Sequence, residues 1–212
     1  MTRGRLITLE GGEGAGKSTL AARLCAALAA EGLAVVQTRE PGGSPLAEAL
    51  RGIVLHSWNE GMAPQTEALI ISAARAAHWR ATIAPALAAG QWVICDRFID
   101  STTAYQGSAG VPQGLLDALA QLATDGQRPD LTLLVDLDPA VGLARARQRG
   151  DDNRFEAADL ARHQAIRDAF RVAAGAEPQR FRVLDGSLPP EAVLTAALAA
   201  LADARQGWTA HG

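Results

Sequence analysis

Residues Gly11, Gly12, Glu13, Gly14, Ala15, Gly16, Lys17 and Ser18 read G-x-x-x-x-G-K-S, between an apolar run at 6–9 and an Ala/Leu-rich stretch at 17–30. A strand that enters a glycine-rich turn and leaves as a helix forms a cradle. The glycines let the backbone close around an anion with its N–H groups inward, and the helix start adds partial positive charge. In such a loop the lysine reaches the outer phosphates of a nucleotide and the hydroxyl ligates Mg²⁺. Lys17 is the one lysine in 212 residues, the other 19 basic side chains being arginine. An ammonium is a compact point charge where a guanidinium is a broad planar fork, so the exception stands where compactness matters. Residues 11–18, with Thr19 beside them, are the expected nucleotide-binding set.

The rest of the chain repeats the same alternation. Short apolar runs at 6–9, 34–38, 92–95, 131–137 and 181–184 are predicted strands. Helical stretches at 17–30, 45–55, 64–89, 112–124, 139–149, 157–174 and 189–204 separate them, several opening on proline, as Pro45 does after Ser44. Pro85 is expected to kink or divide the long third helix. This order implies an α/β fold, a five-stranded parallel sheet with helices on both faces. One domain over 1–206 with a frayed tail at 207–212 is the expected organisation. The net charge of −3 argues against a nucleic-acid binder, and no apolar run approaches a membrane span. Without a signal-like start, the expected location is the cytoplasm. Cys25 and Cys95 read as free thiols in apolar elements.

Two predicted strands end in aspartate, Asp96 and Asp136. Either would orient a metal at the carboxyl edge of the sheet, where ligands of open α/β sheets bind. Asp96, followed directly by Arg97, is the favoured choice, with Ser18 as the second metal ligand. Arg39 and Arg97 follow strands two and three and would face the same crevice, suited as forks to the phosphate of an acceptor. Arg145, Arg147, Arg149 and Arg154 surround Gly150 and Asp151, which suggests a lid at about 145–157. Arg149 and Arg154 would there neutralise charge on a transferring phosphoryl group. An acceptor phosphate has a second pKa of about 6 and is ionised at neutral pH. Lys17, Arg97, Arg149 and Arg154 would then suffice as catalytic residues without a base. His56, His78, His163 and His211 are read as non-catalytic.

Several segments together resemble the thymidylate kinases. Arg39, Glu40, Pro41, Gly42, Gly43 looks like the signature after their second strand, and Asp96, Arg97, Phe98 is similar to their Asp-Arg-aromatic motif. Ser101, Thr102, Ala104, Tyr105, Gln106, Gly107 resembles their acceptor-binding stretch. Arg128, Pro129, Asp130, Leu131, Thr132 resembles the entry to their fourth strand. The run from Arg145 through Asn153, Arg154, Phe155, Glu156 is similar to their lid. The resemblance implies a P-loop NTPase fold, Mg²⁺-dependent phosphorylation of dTMP to dTDP by ATP, and a homodimer. It assigns Arg39 and Arg97 to the dTMP phosphate, Arg75 and Thr102 to the base, and Tyr105 to the deoxyribose, where it crowds a ribose 2′-hydroxyl. Glu13 matches an acidic position near the sugar and metal; Ser101 and Gln106 belong to the acceptor stretch. Gly14 together with Arg147, Arg149 and Arg154 matches the bacterial type, whose arginines lie in the lid. Ile71 departs from the pattern, because the family places a phenylalanine there against thymine.

Other readings make separable demands. A kinase of dUMP, UMP or a related monophosphate would differ in its acceptor preference. A regulatory GTPase needs an Asn-Lys-x-Asp that a chain with Lys17 as sole lysine does not contain. A nucleotide sensor would bind ATP without turnover. A kinase of a metabolite alcohol would need a base, for which Asp96 is available.

Overall fold

The computed structural model describes residues 3–149, 155 and 158–209. Strands β1 (Leu6–Glu10), β2 (Val35–Arg39), β3 (Trp92–Asp96), β4 (Leu131–Asp136) and β5 (Phe181–Asp185) form a parallel sheet in the order β2-β3-β1-β4-β5. Each predicted strand falls within a residue or so of its place. The reason is visible in burial. All of β1 is buried, as is β4 apart from its half-buried terminal Asp136. A strand covered on both faces must be apolar throughout, so it reads as an uninterrupted run.

Helices cover both faces. On one, α1 (Lys17–Ala30) and α9 (Pro190–Thr209) share a core in which Leu20, Leu24 and Leu28 meet Ile7, Leu133, Val193, Ala197 and Leu201. On the other, Trp79, Ile83 and Leu87 pack against Val93, Cys95 and Phe98. The predicted helix at 64–89 is divided into α3 (Pro64–His78), a π-helical turn Trp79–Ile83 and α4 (Ala84–Ala88). Pro85 has no N–H to donate, and its ring obstructs the carbonyl four residues back; the wider turn just before it accommodates both. Helix α2 (Pro45–Leu55) opens as expected, with Ser44 Oγ accepting from Ala47 N. The remaining helices are α5 (Ile99–Thr102), α6 (Gln113–Ala123), α7 (Pro139–Arg149) and α8 (Leu160–Ala176).

Two regions differ from expectation. No helix was foreseen at 99–107, where α5 and a π-helical turn, Thr103–Gly107, follow β3. The frayed tail at 207–209 is instead the last turn of α9. There Trp208 stands edge-on to Trp92 at 5.8 Å, and the Arg5 guanidinium lies 4.6 Å from its ring centre. Cys25 and Cys95 are free. No described helix is long and apolar enough to cross a membrane.

Candidate active site

The sheet order reverses at β1, whose neighbours are β3 and β4, and the crevice at that switch point holds the loop at 11–18. Two of its glycines are forced by crowding. Gly11 has φ 139°, and a Cβ there would lie 2.4 Å from the Val135 carbonyl oxygen; Gly14 has φ 65°, and its Cβ would lie 1.9 Å from the Gly142 carbonyl oxygen. The loop is thus pressed onto β4 and the first turn of α7. Lys17 is buried, and its Nζ donates to Gly11 O (3.0 Å) and Gly12 O (2.7 Å), which folds the ammonium across the loop. Burial, with the charge of Arg97 adding to it, lowers its pKa to about 8.

Ser18 Oγ donates to Asp96 Oδ2 at 2.6 Å. The hydroxyl after the lysine and the acid at the end of β3 are therefore neighbours. Asp136, the alternative acid, is gripped by both arms of Arg167 at 2.7 and 2.9 Å. Among the described residues no three His, Cys, Asp or Glu side chains cluster as a metal cage. The adjacent hydroxyl of Ser18 and carboxylate of Asp96 are hard oxygen donors, the kind that fit Mg²⁺, an ion which uses one or two protein oxygens beside substrate phosphates.

Arg97 joins this loop to a second cleft. Its Nη1 donates to Gly11 O (3.0 Å) and Ser101 Oγ (3.2 Å), and its Nη2 to Glu13 Oε1 (2.8 Å). The Tyr105 hydroxyl donates to the same Glu13 oxygen at 2.7 Å, and the guanidinium sits 5.0 Å from the tyrosine ring centre. Burial alone would raise the Glu13 pKa, but Arg97 and Lys17 hold it down at about 2. The cleft beyond is open to solvent, with a cavity volume of about 110 Å³. Ile71, Arg75, Phe98, Thr102, Tyr105 and Gln106 line it, together with Phe155.

Arg75 is a core residue, 2 % exposed. Its Nε donates to Glu40 Oε2 (2.7 Å), and its Nη2 donates to Phe98 O and Thr102 Oγ1 (both 2.9 Å). Glu40 also meets His78 Nδ1 (3.1 Å), whose Nε2 lies 2.7 Å from Thr38 Oγ1. Three bonds thus fix the guanidinium and leave Nη1 without a partner among the described residues. Gln106 is likewise fixed, its Nε2 donating to buried Glu67 Oε1. His56 stacks edge-on to Trp58, and neither His56 nor His78 lines the cleft.

Not every expected residue is brought in. Arg39 is exposed, pairs with Glu48 at 3.2 Å, and does not line the cleft. Arg51 on α2 does, donating to Pro41 O at 2.8 Å. It was passed over because it lies within a helix and not at a strand end; its spacing of four from buried Ala47 was the available signal. Glu10 was also missed, although a carboxylate ending an apolar strand beside a phosphate loop is conspicuous. Arg147 is exposed on α7; Arg154 and the side chain of Arg149 lie outside the described residues. A further hollow behind the loop is bounded by Thr19, Arg145, Gly186, Leu188 and Val193.

A family model described as "Thymidylate kinase" matches residues 9–197. A curated thymidylate kinase of Alcanivorax borkumensis is 48% identical over 206 residues, 97% of this chain and 99% of that protein. One from Pseudomonas fluorescens is 51% identical over 187 residues, 88% of this chain and 89% of that one. The solved thymidylate kinase of Ehrlichia chaffeensis superposes with a TM-score of 0.79 at 31% identity, covering 94% of this chain and 99% of its own.

Proposed function

The chain belongs to the thymidylate kinase family, and from that premise we propose that it phosphorylates dTMP to dTDP with ATP, using the cleft beside Arg97 for the acceptor and the loop at 11–18 for the donor. The observation that carries the division of labour is the reach of Arg97. One guanidinium touches Gly11 of the loop and Glu13 and Ser101 at the floor of the cleft, so ligands on either side would meet end to end there.

In the step, an oxygen of the dTMP phosphate forms a bond to the γ-phosphorus of ATP. The bond from that phosphorus to the β–γ bridging oxygen breaks, and its electrons leave on ADP. The acceptor oxygen is already ionised, so no base is required. What the protein supplies is alignment and cancellation of charge. Lys17 and the loop N–H groups hold the donor, and Arg97, with Arg51 beside the cleft, holds the acceptor phosphate. Ser18 and Asp96 would hold Mg²⁺, which when bound neutralises charge on the donor phosphates. Arg149 and Arg154 enter the proposal through the resemblance of their segment to the bacterial lid.

Selection of the acceptor rests on buried groups. The free Nη1 of Arg75, Thr102 and Gln106 face the base, Ile71 and Phe98 supply apolar surface, and Tyr105 crowds the sugar. Arg39, lying exposed outside the cleft, would act at its mouth. The hollow bounded by Arg145 and Leu188 would take the donor's base. A homodimer belongs to the same proposal. Leu46 and Ile53 on α2, Leu69 on α3, and Leu115 and Leu122 on α6 are exposed apolar side chains on adjoining helices, and a second copy would cover them; sedimentation tests this. The cytoplasm, where ATP and dTMP are available, is the proposed location. The decisive assay is coupled ADP release with dTMP, dUMP, UMP, CMP, AMP and GMP as acceptors. The highest kcat/KM is expected for dTMP, and a higher value for any other acceptor would overturn the assignment.

A further inference from the structure

Glu10, the last residue of β1, is wholly buried and stands outside the lining of the cleft. A buried carboxyl group needs hydrogen-bond partners, and here both of its oxygens have them. Oε1 accepts from Phe98 N (2.8 Å) and Ser101 N (3.3 Å), while Oε2 accepts from Ser101 Oγ (2.6 Å). These partners belong to the turn that follows Arg97, and the Ser101 hydroxyl in turn accepts from Arg97 Nη1 at 3.2 Å. One carboxylate therefore holds both the backbone after Arg97 and the hydroxyl against its side chain. Arg97 needs such restraint, because its φ of 69° lies in the left-handed region that L residues avoid. Helix α5 is secured separately by Asp100, in a two-armed pair with Arg180 at 2.7 and 2.8 Å. Asp100 and Arg180 anchor the helix to the chain entering β5, whereas Glu10 alone of these groups shares a partner with the Arg97 guanidinium.

We infer that Glu10 is a positioning residue for acceptor binding, acting through Ser101 to aim Arg97 at the acceptor phosphate; the inference rests on the reading that Arg97 holds that phosphate. Glu10→Gln keeps one oxygen for the two N–H donors. Its amide nitrogen only donates, so the Ser101 O–H loses its acceptor there and must turn elsewhere, which moves the lone pair that Arg97 uses. The expected result is a rise of about tenfold in the KM for dTMP, with the Kd of ATP in the absence of acceptor within about twofold of the unmodified protein. In an Arg97→Ala background the same substitution is expected to change the KM for dTMP by less than about twofold, because its effect passes through Arg97. Ser101→Ala leaves Glu10 and the N–H bonds in place and is a gentler test. It is expected to raise the KM for dTMP by about threefold, again only when Arg97 is present. Equal effects of both substitutions with and without Arg97, or an equal loss of ATP affinity, would overturn the inference. If Arg97→Ala itself leaves the KM for dTMP unchanged, the reading of the acceptor site fails; if it raises that KM while Glu10→Gln and Ser101→Ala do not, the role of Glu10 alone fails.

Discussion

Gly142, in the first turn of α7, limits how closely the phosphate loop can approach β4 and its helix. A Cβ at this position would stand 2.2 Å from the Glu13 carbonyl oxygen, whereas close carbon–oxygen contacts lie at about 3.3–3.6 Å. Gly142→Ala must therefore drive the loop and the helix apart by about 1 Å, and the obstacle is main chain on both sides, with no side chain to swing away. Overpacking of this kind costs about 1–3 kcal/mol of stability, and a displacement of about 1 Å at a site that works by alignment costs up to about 100-fold in rate. Urea unfolding should show the first loss. Coupled ADP release should show a fall of about 10- to 100-fold in kcat/KM for ATP. Gly175→Ala supplies the control: that glycine is exposed in α8 with no atom within 4 Å of a built Cβ, and the change should stabilise by about 0.5–1 kcal/mol without altering kinetics. A Gly142→Ala protein with unchanged unfolding and unchanged kcat/KM for ATP would refute the argument that contact with α7 sets the loop.

Three more outcomes are expected. Lys17→Ala should lose turnover by more than about 100-fold while its circular dichroism is unchanged, since no other lysine exists to substitute for it; near-normal turnover would remove the loop from the mechanism. Ile71→Phe should lower the KM for dTMP up to about fivefold, the equivalent of about 1 kcal/mol of aromatic contact, and a raised KM would show that this side chain does not face the base. Two carboxylates should shape stability with pH. The Glu13 pKa, held down to about 2, contributes stability that is full above the ordinary 4.5 and lost as pH falls through about 2. Burial and the charge of Asp100 push Glu10 up to about 7, so its contribution is full below 4.5 and lost as pH rises through about 7. Each shift corresponds to about 3 kcal/mol at most. Urea unfolding of Glu10→Gln should therefore lack the decline that the unmodified protein shows between about pH 5 and 7.5, and identical declines would contradict the cause assigned here.

The parts of the fold that were legible are those whose chemistry is local. Buried parallel strands must be apolar on both faces, so residues 6–9 and 131–137 declare themselves. The loop at 11–18 is legible because its glycines, lysine and hydroxyl lie within eight residues. Residues 99–107 were not, because Ser101, Thr102, Thr103 and Gln106 carry no apolar period. Their helical turns are held from outside by Glu10, Glu67 and Arg180, partners distant in sequence. The same distance hid the place of Arg51 in the cleft lining. Position after a strand favoured Arg39, but it is Arg51, on the helix packed against α3, that lines the cleft. Arg75 could have been a solvated helix residue by its spacing; its bonds to Glu40, Phe98 O and Thr102, partners distant in sequence, fix it. The final turn of α9 was missed because Trp208 finds Trp92 and Arg5, which no local pattern reveals.

The most direct measurement of the central claim is a crystal structure with ADP and dTMP bound together. The account requires the diphosphate of ADP to lie in the loop at 11–18 and the phosphate of dTMP to lie against the Arg97 guanidinium, facing the open end of that diphosphate. A dTMP phosphate bound away from Arg97, or turned from the loop, would contradict it.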